Sequence, residues 1–214
     1  MTAIIHENQP VLSIKPGKEP MLRAVILLHG RGSTAQNMIP VAKALHGPET
    51  AFYLPQARHN RWYPETAFGP REVNEPDLSS ALNKISLLIE ELQGQGLSLQ
   101  QIYLGGFSQG ACLAAEYGAC NPGRYGGIFV LSGGLIGPLE ENRTPSDALE
   151  GTPVFIGCSD ADPWIPPDVV QKTADFFEQS GAELDLRLYP GMGHTVNEDE
   201  LEAVIQLFDR PRTQ

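Results

Sequence analysis

Long hydrophobic runs are missing from this 214-residue sequence: the longest candidate, Ala24 to Leu28, has five residues against the roughly 18 that a membrane span needs. At the N-terminus Ile4 and Ile5 are followed at once by His6, Glu7 and Asn8, which is not the basic-then-apolar pattern of a secretory signal. Cysteine is scarce. Cys112, Cys120 and Cys158 are an odd number at unrelated spacings, so reduced thiols are expected rather than a disulfide framework or a zinc site. These absences predict a cytoplasmic chain without stable membrane insertion. Positive charge is short as well: 15 Lys and Arg stand against 26 Asp and Glu, a net −11, which argues against a nucleic-acid partner because phosphate affinity needs a basic field. There is no internal repeat, low-complexity tract, P-loop, G-x-G-x-x-G fingerprint or H-E-x-x-H pair, so no metal and no cofactor are expected.

What is present is a globular composition, 41% hydrophobic and 19% charged, in a chain whose length predicts one domain over 1–214. Residues 24–28 form a continuous apolar run that reads as a strand buried on both faces. Further strands are predicted at 51–54, 101–105, 127–131, 153–158 and 184–189, and helices at 36–46, 77–93, 109–120, 167–180 and 198–208. Strands alternating with helices imply right-handed βαβ crossovers, hence an α/β fold with a mostly parallel sheet and helices on both faces. These units use nearly all the residues and leave no room for a lid domain, so the site should be open to solvent. Residues 55–76 have neither period and are rich in Pro and aromatics (Trp62, Tyr63, Phe68), and an aperiodic loop of such length is usually functional. With segment 132–150, this loop is expected to shape a pocket.

Gly106-Phe107-Ser108-Gln109-Gly110 falls between a predicted strand and a predicted helix. In such a turn the serine is lifted above the sheet, and the positions two before and two after it must be small so that strand and helix can approach. A serine hydroxyl needs a base. His194 is the only histidine after Ser108 and lies just past the last predicted strand. An acid should come between them, and Ser159-Asp160-Ala161-Asp162-Pro163 offers two: Asp162, turned away from the strand by Pro163, is preferred over Asp160, which could instead brace the loop. The acid would hold the imidazole in its productive tautomer without taking the proton. Backbone amides are needed for the oxyanion. Gln109, the first helical residue, supplies one, and Arg31 in His29-Gly30-Arg31-Gly32-Ser33 the other, with Gly32 as the alternative. His29 itself is read as structural.

These segments, in this order, resemble the phospholipase/carboxylesterase family of serine hydrolases, which includes acyl-protein thioesterases and small bacterial carboxylesterases, and the resemblance spans about residues 22–208. Asp160-Ala161-Asp162-Pro163-Trp164-Ile165-Pro166 is similar to the family's Asp-x-Asp-Pro-x-(Val/Ile)-Pro pattern, which supports Asp162 as the acid. The resemblance implies an α/β-hydrolase fold without a cap domain, cofactor-independent hydrolysis of carboxylic esters or thioesters, and often a dimer; the expectation here is hydrolysis through an acyl-enzyme by a monomer or homodimer. Arg31 and Ser33 stand where thioesterase members commonly have Leu and Asp. Two other readings use the same residues: a catalytically silent ligand-binding homologue, and acyl transfer or amide hydrolysis on the same triad.

Charge placement adds an expectation of its own. Residues 23–71 carry Arg23, Arg31, Lys43, Arg58, Arg61 and Arg71 against Glu49 and Glu65, a net +4, so the rest of the chain carries −15. Arg31, with Arg58, His59 or Arg61, is expected to attract an anionic group of the substrate, while Trp62, Tyr63, Trp164 and Ile165 line an apolar wall.

Overall fold

The computed structural model describes residues 4–17, 20–145, 147–149 and 151–210, so residues 146 and 150 of segment 132–150 lie outside the described residues. Within the described residues seven strands form one sheet: β1 (Val11–Ile14), β2 (Arg23–Leu28), β3 (Thr50–Pro55), β4 (Ile102–Phe107), β5 (Gly127–Leu131), β6 (Pro153–Ser159) and β7 (Glu183–Tyr189). Five α-helices accompany them among the described residues: α1 (Ile39–Ala44), α2 (Asp77–Gly94), α3 (Gln109–Cys120), α4 (Pro167–Gln179) and α5 (Glu198–Asp209). The sheet order is β1-β3-β2-β4-β5-β6-β7, parallel except for β1, which pairs antiparallel with β3.

The strand period of two sorts the core into two layers. Ala24, Ile26 and Leu28 of β2 face a layer filled by α2, α3 and α4, whereas Val25 and Leu27 face the one filled by α1 and α5. The central strands are buried on both faces because helices cover both, and that is why they read as unbroken apolar runs rather than alternating ones.

Two elements differ from expectation. β1 was not expected: four residues between Pro10 and Pro16, alternating exposed and half-buried, suit an edge strand and carry almost no periodic signal. The helix expected at 36–46 begins as a 3-10 turn, Ala35–Met38, capped by Thr34, and becomes α1 at Ile39, where Pro40 takes a first-turn position that needs no intrahelical donor.

The order also locates the site. The chain leaves β2 to build β3 on one side, then returns past β2 to build β4 on the other, so winding reverses between β2 and β4. Loops leaving the carboxyl ends of two such strands diverge and open a crevice between them. Residues 29–34 leave β2 there, and Ser108 leaves β4.

Candidate active site

Ser108 sits between β4 and α3 with φ 56° and ψ −121°, a left-handed conformation that non-glycine residues rarely adopt. Strain of this kind persists where the surroundings over-determine it. Here the Ser108 amide donates to Leu131 O at 3.0 Å, extending the β4–β5 ladder, while its carbonyl accepts from Cys112 N at 3.0 Å to start the helix. The flanking glycines are required by close approach: a Cβ at Gly106 would lie 2.7 Å from Leu28 O, and one at Gly110 would lie 2.4 Å from it. A methyl group at Gly30 would meet Ser108 Cβ at 3.3 Å, so the loop after β2 passes directly beside the serine.

His194 lies in the loop between β7 and α5. Its Nδ1 is 2.7 Å from Asp162 Oδ2, and its ring packs on Phe107, the residue before Ser108, with centroids 4.8 Å apart. The Asp162 side chain is fully buried, and its other oxygen, Oδ1, accepts from Trp164 N at 2.9 Å and Ile165 N at 3.1 Å. Asp160 instead accepts from Gly191 N at 2.8 Å and so braces the loop that carries His194. Ser159, at the end of β6, joins the same two loops, its Oγ accepting from Ala161 N at 3.1 Å and Gly193 N at 3.0 Å.

The Gly32 amide donates to Asn60 O at 2.7 Å and the Ser33 amide to Gly30 O at 3.1 Å, so both are engaged within the loops. The first amide of a helix has no intrahelical acceptor, and for α3 that amide is Gln109 N–H. The Gln109 side chain is buried and bridges to the long loop: Oε1 accepts from Trp62 N and Nε2 donates to Tyr63 O, both at 2.8 Å.

The expected apolar wall needs correction. Trp62 and Tyr63 have 0% and 1% of their surface exposed and do not face solvent; an aromatic cluster in an aperiodic loop is here part of the core. Trp62 Nε1 donates to His29 O at 2.8 Å, tying the long loop to the loop after β2. Ile165 is buried too, whereas Trp164, two residues past Asp162, is 71% exposed. The expected basic cluster is also thinner than its sum suggested. Arg23 lies at the opposite end of β2 and stacks on Phe208, and Arg71 pairs at 2.6 Å with the buried Glu116. Burial pushes the Glu116 carboxyl up, but hydrogen bonds and charge from Arg71 and Arg143 more than reverse this and hold it below the usual range.

Arg31 is exposed, but its guanidinium is not free: Nη1 donates to Pro64 O at 2.6 Å and Nη2 donates to Glu65 O. The side chain thus latches the long loop. Arg31→Ala should lower stability by about 1 kcal/mol, a drop of about 2–4 °C in Tm by calorimetry. An unchanged Tm would mean that the latch holds nothing.

His29, read from the sequence as structural, is joined here by His6, which carried no sequence signal. His6 and His29 are both fully buried, and burial lowers both pKa values. His29 Nε2 accepts from Ala57 N at 3.1 Å and His6 Nδ1 from Arg58 N at 3.0 Å; an amide can only donate, so both rings are neutral at those atoms. Burial raises the Cys112 thiol to about 11, and burial with the neighbouring Asp162 charge raises Cys158 to about 12, so neither is a thiolate nucleophile near neutral pH. Among the described residues no group of three His, Cys, Asp or Glu is placed to hold a metal ion, and no helix is long and apolar enough to cross a membrane.

A strained serine at the switch point of a parallel sheet is how α/β-hydrolases are built, and the fold places the chain among them. The phospholipase/carboxylesterase family matches residues 9–209, and the chain belongs to that family, as a hydrolase of the carboxylesterase kind. It is 36% identical to a phospholipase/carboxylesterase from Dyadobacter fermentans whose crystal structure superposes with a TM-score of 0.88, covering 98% of this chain and 100% of that one. Acyl-protein thioesterase 1 of Saccharomyces cerevisiae is 28% identical over 90% of this chain and 94% of its own. A carboxylesterase from Mesorhizobium loti, at 22% identity and TM-score 0.75 over 96% of this chain and 100% of that one, shares the fold.

Proposed function

We propose that the protein hydrolyses carboxylic esters or thioesters of small molecules through an acyl-enzyme, with Ser108 as nucleophile, His194 as general base and Asp162 as the acid that orients it. The observation that carries this reading is the 2.7 Å contact between His194 Nδ1 and Asp162 Oδ2, with the same ring packed on the residue before Ser108. The carboxylate fixes the proton on Nδ1, which leaves Nε2 a lone pair. Nε2 then takes the Ser108 proton as Oγ attacks the substrate carbonyl. The negative oxygen that develops is met by the amides of Arg31 and Gln109; Gly32 is disfavoured because its amide already serves Asn60 O. As the tetrahedral species collapses, the imidazolium gives its proton to the leaving alcohol or thiol. Water repeats the attack with the same base and releases the acid.

Trp164 is the exposed apolar residue beside this centre and is the side chain to which we assign substrate contact. A single domain acting as monomer or homodimer, in the cytoplasm, is the reading consistent with three free cysteines. A fluorophosphonate probe tests the assignment. The native protein should be labelled stoichiometrically and Ser108→Ala not at all; labelling that survives Ser108→Ala would put the nucleophile elsewhere.

A further inference from the structure

We propose that the turn at 58–61 is a cationic subsite for an anionic group, carboxylate or phosphate, carried by the ester or thioester; the proposal rests on the site assigned above. Its first support is backbone strain. His59 (φ 54°) and Asn60 (φ 59°) are consecutive non-glycine residues in the left-handed region, a combination the surroundings must enforce. The enforcement is visible on every side. His29 and His6 accept from the amides of Ala57 and Arg58, and His6 Nε2 is 3.0 Å from Trp62 O, to which it donates. Gln56 Nε2 donates to Asn60 Oδ1 at 3.0 Å and Gly32 N to Asn60 O at 2.7 Å.

What this rigid turn presents is charge without a counter-charge. Arg58, His59 and Arg61 are exposed, and neither arginine makes a salt bridge or side-chain hydrogen bond among the described residues. Most other described arginines are satisfied, Arg31 by loop carbonyls, Arg71 and Arg143 by Glu116, Arg187 by Asp185 and Asp199, Arg210 by Glu183, while Arg23, which makes no ion pair among the described residues, is half-buried against the Phe208 ring rather than presented to solvent. In a chain with 26 acidic residues and 15 basic ones, two unpaired arginines within four positions are not there to balance neighbours. Guanidinium groups match the geometry of carboxylate and phosphate oxygens.

The turn is also joined to both proposed oxyanion donors. Asn60 O holds the Gly32 amide, next to Arg31, and Trp62 N holds the side chain of Gln109. An anionic group at the turn therefore sits at the rim of the reacting centre, on the acyl or the leaving-group side of the substrate.

Matched substrate pairs test this: p-nitrophenyl hexanoate against mono-p-nitrophenyl adipate for a carboxylate on the acyl side, and the hexanoyl thioesters of N-acetylcysteamine and coenzyme A for phosphate on the leaving group. The native enzyme should favour the anionic member of at least one pair, by a kcat/KM ratio that shrinks in about 0.5 M salt. In Arg58→Gln/Arg61→Gln that ratio should fall by about tenfold. Which pair responds identifies carboxylate or phosphate. A native enzyme that hydrolyses the neutral members with no preference in either pair, or a ratio unmoved by the double substitution, overturns the subsite and leaves the nucleophile standing. Loss of all hydrolysis together with absent fluorophosphonate labelling of the native protein overturns the underlying assignment instead.

Discussion

Asp162→Asn should lower kcat by about 10⁴-fold without unfolding the protein, whereas Asp160→Asn should remain within about tenfold of the native rate. The direction follows from the hydrogen bonds around the two oxygens. Oδ1 of Asp162 accepts from the amides of Trp164 and Ile165, so an asparagine there must place its carbonyl oxygen at that position and its NH2 group toward His194. Facing a donor, Nδ1 must become the acceptor, and the ring proton moves to Nε2. In the proposed mechanism that nitrogen takes the serine proton, so the substitution removes the base while keeping its geometry. The Asp160 side chain accepts from the backbone amide of Gly191, a contact that an asparagine carbonyl reproduces. Steady-state kinetics on one ester, with circular dichroism to show that both variants fold, decides the matter. Near-native turnover in Asp162→Asn, or collapse in Asp160→Asn, would assign the acid to the wrong residue.

The second large effect lies behind the site, at Glu200. This residue closes the capping box of α5: its Oε2 accepts from Asn197 N at 2.9 Å while Asn197 Oδ1 accepts from Glu200 N at 2.8 Å. The other oxygen, Oε1, is buried without a hydrogen-bond partner among the described residues and lies against Gly157, where an added Cβ would clash with it. Burial raises the Glu200 pKa to about 7. An unfolded chain releases this proton near the ordinary glutamate value of about 4.3, so between there and about 7 the unfolded state holds fewer protons than the folded one. Stability must therefore fall as pH rises through that window, by about 4 kcal/mol in all, of which about 3 falls between pH 5 and pH 8. Glu200→Gln removes the titrating group. Its Tm relative to the native protein should rise by roughly 6–12 °C on going from pH 5 to pH 8.

His6 and His29 act in the opposite sense. Their lowered pKa values mean that stability is lost as pH falls below about 6.5, because the unfolded chain charges its histidines first. They are common to both proteins, so the difference between the two Tm profiles isolates Glu200. Parallel profiles would show that Glu200 is ionised in the folded state at neutral pH.

Much of this molecule could be read from its residues because the relevant physics is local in sequence. Buried parallel strands are continuous apolar runs, and 24–28, 127–131 and 153–158 lie within or match β2, β5 and β6. The glycines two residues either side of Ser108 follow from the approach of β4, α3 and the end of β2, and such a requirement leaves a mark in five residues. What was illegible depends on partners distant along the chain. Whether Trp62 and Tyr63 face inward or outward is decided by His29 and Gln109, 33 and 46 or 47 positions away. The net charge over 23–71 is a sum along the chain, yet Arg23 starts β2 while Arg31 lies in the loop beyond its other end, and Arg71 belongs to Glu116. Along the sequence nothing sets Glu200 apart from Glu198 and Asp199 in the first turn of α5; it is a buried carboxyl because the fold sets it against Gly157.

The reach of His6 bears on how the protein can be handled. The segment around it is fastened to α2, with the amides of Ile5 and His6 donating to Ser80 Oγ and Lys84 Nζ donating to Glu7 O at 3.0 Å. From there the imidazole runs beneath the turn that borders the reacting centre. Trimming the chain through His6, or fusing a bulky affinity tag immediately ahead of Ile5, would disturb catalysis from a distance. α5 packs on the opposite face of the sheet from α2, so an extension after that helix is the better place for one.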